Sequence, residues 1–277
     1  MKKDTNNAEY DNMKILITGA HGFVGNRLMQ DLDDTVAAPS MRGMSEEQIR
    51  NMIEKSRADV IIHTAAISDV GTCEKDPGAS YEANVRLPLF LAKAAKEQKL
   101  ICFSSDQVYR GCAGEGPYKE EDASPCNVYG RHKLEMEQKV LDVKPDAVML
   151  RAEWMYDYPT KRSNYLRMLL NEKQVLTFGK QYRGITYLRE VAENMPKIFM
   201  LPGGVYNFGS ETKQTMYDIT CEMLHFLKSD RKPEEVPPAH NLWMDCTKAK
   251  ERGILFSDAK EGLKRCLKDY HLAKDRE

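Results

Sequence analysis

Tyr129 and Lys133 stand four residues apart in Tyr129-Gly130-Arg131-His132-Lys133, just after the turn-like Ser124-Pro125-Cys126-Asn127. On a helix this spacing puts both side chains on one face, about 5–6 Å apart at Cβ, so the ammonium can lie beside the phenol. A phenol that titrates near ~10 is a poor acid or base at neutral pH. A neighbouring cation is expected to favour phenolate, lower that value and make Tyr129 a usable proton donor. Taken alone, such a pair also fits a surface tyrosine beside a solvated lysine. A second segment favours chemistry: Phe103-Ser104-Ser105-Asp106-Gln107-Val108-Tyr109 leaves a buried strand at the sheet edge, where doubly wound folds keep their sites. Ser105 can hydrogen-bond a substrate carbonyl there, with Asp106 and Gln107 beside it. The three groups Ser105, Tyr129 and Lys133 suit reduction of a ketone by hydride and proton.

Hydride chemistry needs a carrier, and the first strand supplies a place for one. Lys14 to Thr18 runs into Thr18-Gly19-Ala20-His21-Gly22-Phe23-Val24-Gly25 and then the helical Asn26-Arg27-Leu28-Met29. Gly19 would allow the tight turn, Gly22 would let backbone N–H groups approach a pyrophosphate, and Gly25 would permit close helix packing, with the helix N-terminus adding positive potential. At the end of the second strand no acidic residue awaits a ribose 2′-hydroxyl. Ala37-Ala38-Pro39-Ser40-Met41-Arg42 offers instead a hydroxyl, Ser40, and a guanidinium, Arg42, that could hold a 2′-phosphate. NADPH is therefore the expected cofactor and NADH the alternative. The six histidines show no metal-ligand spacing and no cysteine partner, so no metal is expected.

These residues are carried by alternating apolar runs and amphipathic stretches, the pattern of a Rossmann-like, doubly wound α/β fold with a parallel sheet. Strands are predicted at Lys14 to Thr18, Val36 to Ala38, Val60 to His63, Leu100 to Ser104 and Ala147 to Arg151. Helices are predicted at Gly22 to Leu32, Ser45 to Lys55, Pro77 to Gln98, with a kink or break at Pro88, and Val128 to Val143. After Arg151 the rhythm loosens, with helices near Ser163 to Asn171, Leu188 to Met200, Thr215 to Lys228 and Ser257 to Tyr270, and strands at Gln174 to Phe178 and Gly204 to Phe208. Pro233 to Pro238 reads as a loop. The expected division is a dinucleotide-binding domain over 13–155, to which part of 180–210 returns, and a small α/β substrate-binding cap over 156–277. Residues 1–12, charged and amide-rich, read as a flexible tail and not as a secretory leader.

Composition agrees with a globular enzyme: 42% of the 277 residues are hydrophobic and 30% charged, enough for a substantial core. The net charge of −1 offers no global field for nucleic acid or an anionic membrane, and no apolar run approaches the ~20 residues of a membrane span. Seven cysteines without a Cys-x-x-Cys pair read as reduced thiols of a cytoplasmic protein. Assembly into a homo-oligomer is left open.

Taken together the motifs resemble the extended short-chain dehydrogenase/reductases, and more closely their dTDP-4-dehydrorhamnose reductase branch, over nearly the whole chain. Ile61-Ile62-His63-Thr64-Ala65-Ala66 resembles the strand-and-alanine motif that lines the cofactor, and Tyr81-Glu82-Ala83-Asn84-Val85 the helix bearing a structural Asn. Phe103 to Gly111 is similar to Ser-Thr-Asp-Tyr-Val-Phe-Asp-Gly, Leu150 to Tyr156 to Leu-Arg-Thr-Ser-Trp-Val-Tyr, Gly184 to Tyr187 to Gly-x-Pro-Thr-Tyr, and Leu242 to Asp245 with Lys248 to a late Leu-Asp-x-x-Lys. The resemblance implies reduction of a C4 ketone on a nucleotide-linked sugar. Tyr129 then donates the proton, Lys133 also holds the nicotinamide ribose, and Ser105 takes the family's catalytic Thr/Ser position. Ala65, Ala66 and Asn84 join Thr18, Gly19, His21, Gly22, Phe23, Val24, Gly25, Ser40 and Arg42 at the cofactor. Ser68, Asp106, Gln107, Trp154, set against the sugar ring, and Tyr187 join Ser105 at the substrate.

Departures are Glu153 for a small residue, Asp157 for Gly, Gln107 for an aromatic, Ile185 for Pro, and a short segment between Val36 and Val60. A 4,6-dehydratase of this scaffold needs an Asp-Glu pair, and the amide of Gln107 after Asp106 cannot remove a proton. An epimerase is generally longer. The rival of a different class is a non-catalytic NADP-binding regulatory subunit.

Overall fold

The computed structural model describes residues 13–160 and 162–272; the tail expected over 1–12 lies outside them. The chain opens as β1 (Ile15–Thr18), α1 (Phe23–Asp31), β2 (Thr35–Ala37), α2 (Glu46–Ser56) and β3 (Val60–His63). Ile15-Leu16-Ile17 and Val60-Ile61-Ile62 are apolar at consecutive positions because both faces of their strands are covered. A capping box starts α2, with the Gln48 N–H donating to Ser45 Oγ at 3.3 Å and the Ser45 N–H to Gln48 Oε1 at 2.8 Å. Next come α3 (Val70–Lys75), α4 (Pro77–Tyr81), a π-helical turn (Glu82–Arg86), α5 (Leu87–Ala94), β4 (Lys99–Ser105), α6 (Val128–Val143) and β5 (Val148–Ala152). The long helix expected from Pro77 to Gln98 is thus interrupted by the π turn and ends at Ala94, with Pro88 in the first turn of α5, where its missing N–H costs nothing.

The remainder holds β6 (Trp154–Tyr156), α7 (Tyr165–Leu170), β7 (Thr177–Phe178), β8 (Ile185–Tyr187), α8 (Leu188–Phe199), β9 (Gly204–Phe208), α9 (Met216–Phe226), β10 (Glu234–Glu235), α10 (Thr247–Lys250) and α11 (Ala259–Asp269). Two expectations change here. The strand expected from Gln174 shrinks to β7, and its parallel partner β10 lies inside the stretch read as a loop, because three prolines leave few N–H groups to extend the pairing. Trp154–Tyr156 and Ile185–Tyr187, not foreseen as strands, pair in parallel as a small separate sheet.

The main sheet is parallel throughout, in the order β2-β1-β3-β4-β5-β9. From β1 the chain goes outward to β2 and then crosses back to β3, so the strand order reverses between β1 and β3. In such sheets the crevice outside the carboxyl ends at this reversal is where ligands bind. On one face α1 and α8 bring Leu28, Val191 and Met195 against Ile17, Ile62 and Leu150. On the other, α2, α5 and α6 pack Ile49, Ile53, Leu91, Met136 and Val140 against Leu16, Ile61 and Met149. A third apolar cluster, with Tyr156, Tyr165, Ile185, Ile219 and Leu263, is built from the later elements alone.

Candidate active site

The turn from β1 into α1 is shaped by contacts that only glycine survives. Gly19 has φ +71°, and a Cβ on it would lie 2.7 Å from the Ala65 nitrogen; one on Gly25 would lie 2.3 Å from the Gly19 carbonyl oxygen. The Gly22 N–H donates to that same oxygen at 2.8 Å. The first turn of α1 carries no acidic side chain, so its free N–H groups keep their positive potential at the sheet edge. The backbone therefore fits a pyrophosphate on geometric grounds.

The end of β4 and the start of α6 meet this turn. The Asn127 side chain caps α6 by accepting the Gly130 N–H at 2.7 Å, and Glu74 Oε1 accepts the Val128 N–H at 2.7 Å. Gly130 is pressed against the β4 loop, where a Cβ would sit 2.4 Å from the Gln107 carbonyl oxygen. That approach carries the Tyr129 hydroxyl to Ser105, whose hydroxyl in turn donates to Asp106 Oδ1 at 3.1 Å. Lys133 is buried, donates from Nζ to the Phe103 carbonyl at 2.8 Å, and lies 5.8 Å from the centre of the Tyr129 ring.

Burial dominates the electrostatics. It lowers Lys133 to about 8, against the attraction of Glu137. It also pushes the Tyr129 phenol above its ordinary value, with Asp106 adding to the rise and the bond to Ser105 opposing it. The expectation that Lys133 lowers the Tyr129 phenol is therefore corrected: the ammonium is spent on a backbone carbonyl, and desolvation outweighs its field. His63 is buried beside them, its Nδ1 paired with Thr18 Oγ1 at 2.7 Å, and burial with the nearby Lys133 lowers it to about 3.

Gly19, Gly22, Phe23, Val24, Ala65, Ala66, Ser68, Ser105, Asp106, Gln107, Tyr129, Lys133 and Trp154 all line one cavity of about 680 Å³. His21 lines an adjoining cavity that shares Gly22, Phe23 and Arg162 with the first. Thr18 and Gly25 stand behind the turn, buried. Ser40 and Arg42 lie exposed after β2, outside both cavities, the Arg42 N–H donating to Ser40 Oγ at 3.4 Å. Two side chains named for the site are engaged elsewhere, Asn84 in the structural role that the resemblance also gave it. The amide of Asn84 is consumed by the Ile67 backbone, accepting its N–H at 3.1 Å and donating to its carbonyl at 2.9 Å, so Asn84 pins the loop that follows β3 and does not reach the cavity. Tyr187 is buried, stacked on Tyr156 and directed to Asp269, away from the cavity, because its strand turns that face to the third apolar cluster.

Four charged residues that sequence reasoning did not assign also line the cavity: Asp69, Glu153, Arg162 and Arg183. Arg162 donates to Ser68 Oγ at 2.9 Å; Arg183 holds Asp106 Oδ2 at 2.8 Å and lies over the Trp154 ring at 5.4 Å. The two arginines sit in irregular chain with no periodicity to mark them. For Glu153 there was a signal, a charge directly after a buried strand.

The family described as the RmlD substrate binding domain matches residues 13–272. A dTDP-4-dehydrorhamnose reductase of Aggregatibacter actinomycetemcomitans is 28% identical over 243 residues, covering 81% of this chain and 82% of that relative. The methionine adenosyltransferase 2 subunit beta of Mus musculus is 27% identical over an alignment covering 87% of this chain and 83% of its own. In fold the chain is similar to the crystal structure of dTDP-4-dehydrorhamnose reductase from Bacillus anthracis in complex with NADP, with a TM-score of 0.83 at 21% identity over 93% of this chain and 98% of that one. With sheet order, glycine turn and family match running over the same residues, this chain belongs to the RmlD substrate binding domain family.

Proposed function

We propose that this protein is an NADPH-dependent reductase acting on the C4 ketone of a nucleotide-linked sugar. The observation that carries this reading is the convergence of Ser105, Tyr129 and Lys133 with the glycine turn on one cavity, in a chain 28% identical to a dTDP-4-dehydrorhamnose reductase. The turn and the N-terminus of α1 take the cofactor's pyrophosphate, and Ser40 with Arg42 takes its 2′-phosphate. The later apolar cluster, within 156–277, serves as the substrate cap. When bound, the reduced nicotinamide supplies hydride to C4. Tyr129, protonated through its burial, donates its hydroxyl proton to the ketone oxygen. Ser105 polarises that oxygen once its hydroxyl turns from Asp106 to the ketone, and the Lys133 ammonium, fixed on the Phe103 carbonyl, holds positive charge beside the phenol as negative charge develops.

The likeness to a methionine adenosyltransferase subunit favours one competing reading, a silent NADP-binding regulator. The first prediction separates them: with dTDP-4-dehydrorhamnose and related 4-keto sugar nucleotides, the purified protein oxidises NADPH catalytically, seen as loss of reduced-nicotinamide absorbance. Tight NADPH binding with no turnover on any of them would favour the regulator.

A further inference from the structure

Glu153 follows β5 directly and lies in the cavity wall, 7% exposed, in a slot made for a carboxyl group. A Cβ on Gly184 would stand 1.9 Å from its Oε2, and one on Gly209 2.4 Å from its Cδ, so both neighbours must be glycine for the side chain to fit. Oε1 is fully engaged, accepting the Thr186 hydroxyl at 2.5 Å and the Ser210 N–H at 2.7 Å. A proton on this carboxyl therefore belongs on Oε2.

We propose that Glu153 is a specificity-determining residue whose carboxylic acid, held through Oε1, offers the Oε2 hydrogen to an oxygen of the bound sugar. The inference rests on the sugar-nucleotide reading of the cavity. Burial, with Asp106 facing it from the end of β4, pushes Glu153 up to about 8, so it is neutral and a donor at neutral pH. The other charged or titratable groups facing it are Arg183, before β8, whose guanidinium is shared with Asp106, and Cys246, before α10, a buried thiol held well above its ordinary value. A neutral acid here accepts no second buried charge and leaves no donor unmatched once a sugar oxygen is present; a sugar lacking that oxygen strands a polar group in the wall.

The test uses NADPH with dTDP-rhamnose, two reduced partners that cannot react, and reads affinity for the sugar nucleotide by calorimetry in wild type, Glu153→Gln and Glu153→Ala. The amide of Glu153→Gln keeps an oxygen for Thr186 and Ser210 and puts an N–H donor in the place of Oε2. It should bind as wild type does near neutrality, whereas Glu153→Ala should lose about three- to tenfold, the span of one hydrogen bond. As pH rises through about 8, wild type should weaken more steeply than Glu153→Gln. Lys133 titrates in the same window, but it is common to both proteins and cancels in the comparison. Affinity in Glu153→Gln as poor as in Glu153→Ala, a wild-type pH dependence shared by Glu153→Gln, or no wild-type binding overturns the assignment. Reduction of dTDP-4-dehydrorhamnose with the two variants equal to wild type sinks Glu153 alone. Glu153-dependent binding without reduction sinks the reductase reading alone.

Discussion

Tyr129 shows why the type of a residue says less than its surroundings. A buried phenol above its ordinary pKa stays protonated near neutrality, and under the proposed function it begins the reaction as the acid. Lys133, lowered to about 8, loses its charge as pH rises through that value, which removes one cation from the cavity that Tyr129 lines. Replacing Tyr129 with Phe removes one hydroxyl from a site whose proposed cofactor contacts lie mostly along the glycine turn. NADPH affinity, read by fluorescence titration, should survive, while kcat should fall by ~10²- to 10⁴-fold. A Tyr129→Phe protein that keeps more than about a tenth of wild-type turnover contradicts the proton-donor role.

Between elements, the site depends on how closely α6 meets the loop after β4. Gly130 touches the Gln107 carbonyl there, so Gly130→Ala must lift the helix start or bend the loop. A cost of roughly 1–3 kcal/mol in urea unfolding should accompany it, together with a drop in kcat as Tyr129 moves off Ser105. Unchanged unfolding and turnover would show that this contact positions nothing. The same scale explains what could be read from the chain. The glycine turn, Ser105, Tyr129 and Lys133 were legible because each sits at a fixed spacing inside one strand–turn–helix unit. Arg162 and Arg183 were not, because irregular backbone brings them to the cavity and no local pattern records where it goes. Asn84, which the resemblance named as a structural Asn, holds the Ile67 backbone, while Tyr187, named for the substrate, stacks on the Tyr156 ring. The break before α5 was anticipated at Pro88, yet it falls at the π turn, which a sequence period does not encode.

At the scale of the molecule, the later chain is tied to the main sheet and its helices by polar links outside the cavity that Tyr129 lines. Arg27 of α1 reaches Asp157 at 3.0 Å and the Tyr270 hydroxyl at 2.7 Å, and Asn207 of β9 donates from its amide to the Asp245 carbonyl at 2.9 Å. These hold the elements bearing Glu153, Trp154 and Arg183 beside the glycine turn in one cavity, which under the proposed function a ketone and a nicotinamide share. The measurement that tests this most directly is a single turnover with NADPH deuterated at the transferring position, using dTDP-4-dehydrorhamnose and mass analysis of the recovered sugar nucleotide. The account predicts one deuterium at C4 of a reduced, 4-hydroxy product, lost together with turnover in Tyr129→Phe. Recovery of the keto sugar unlabelled from a protein shown to hold NADPH would contradict it.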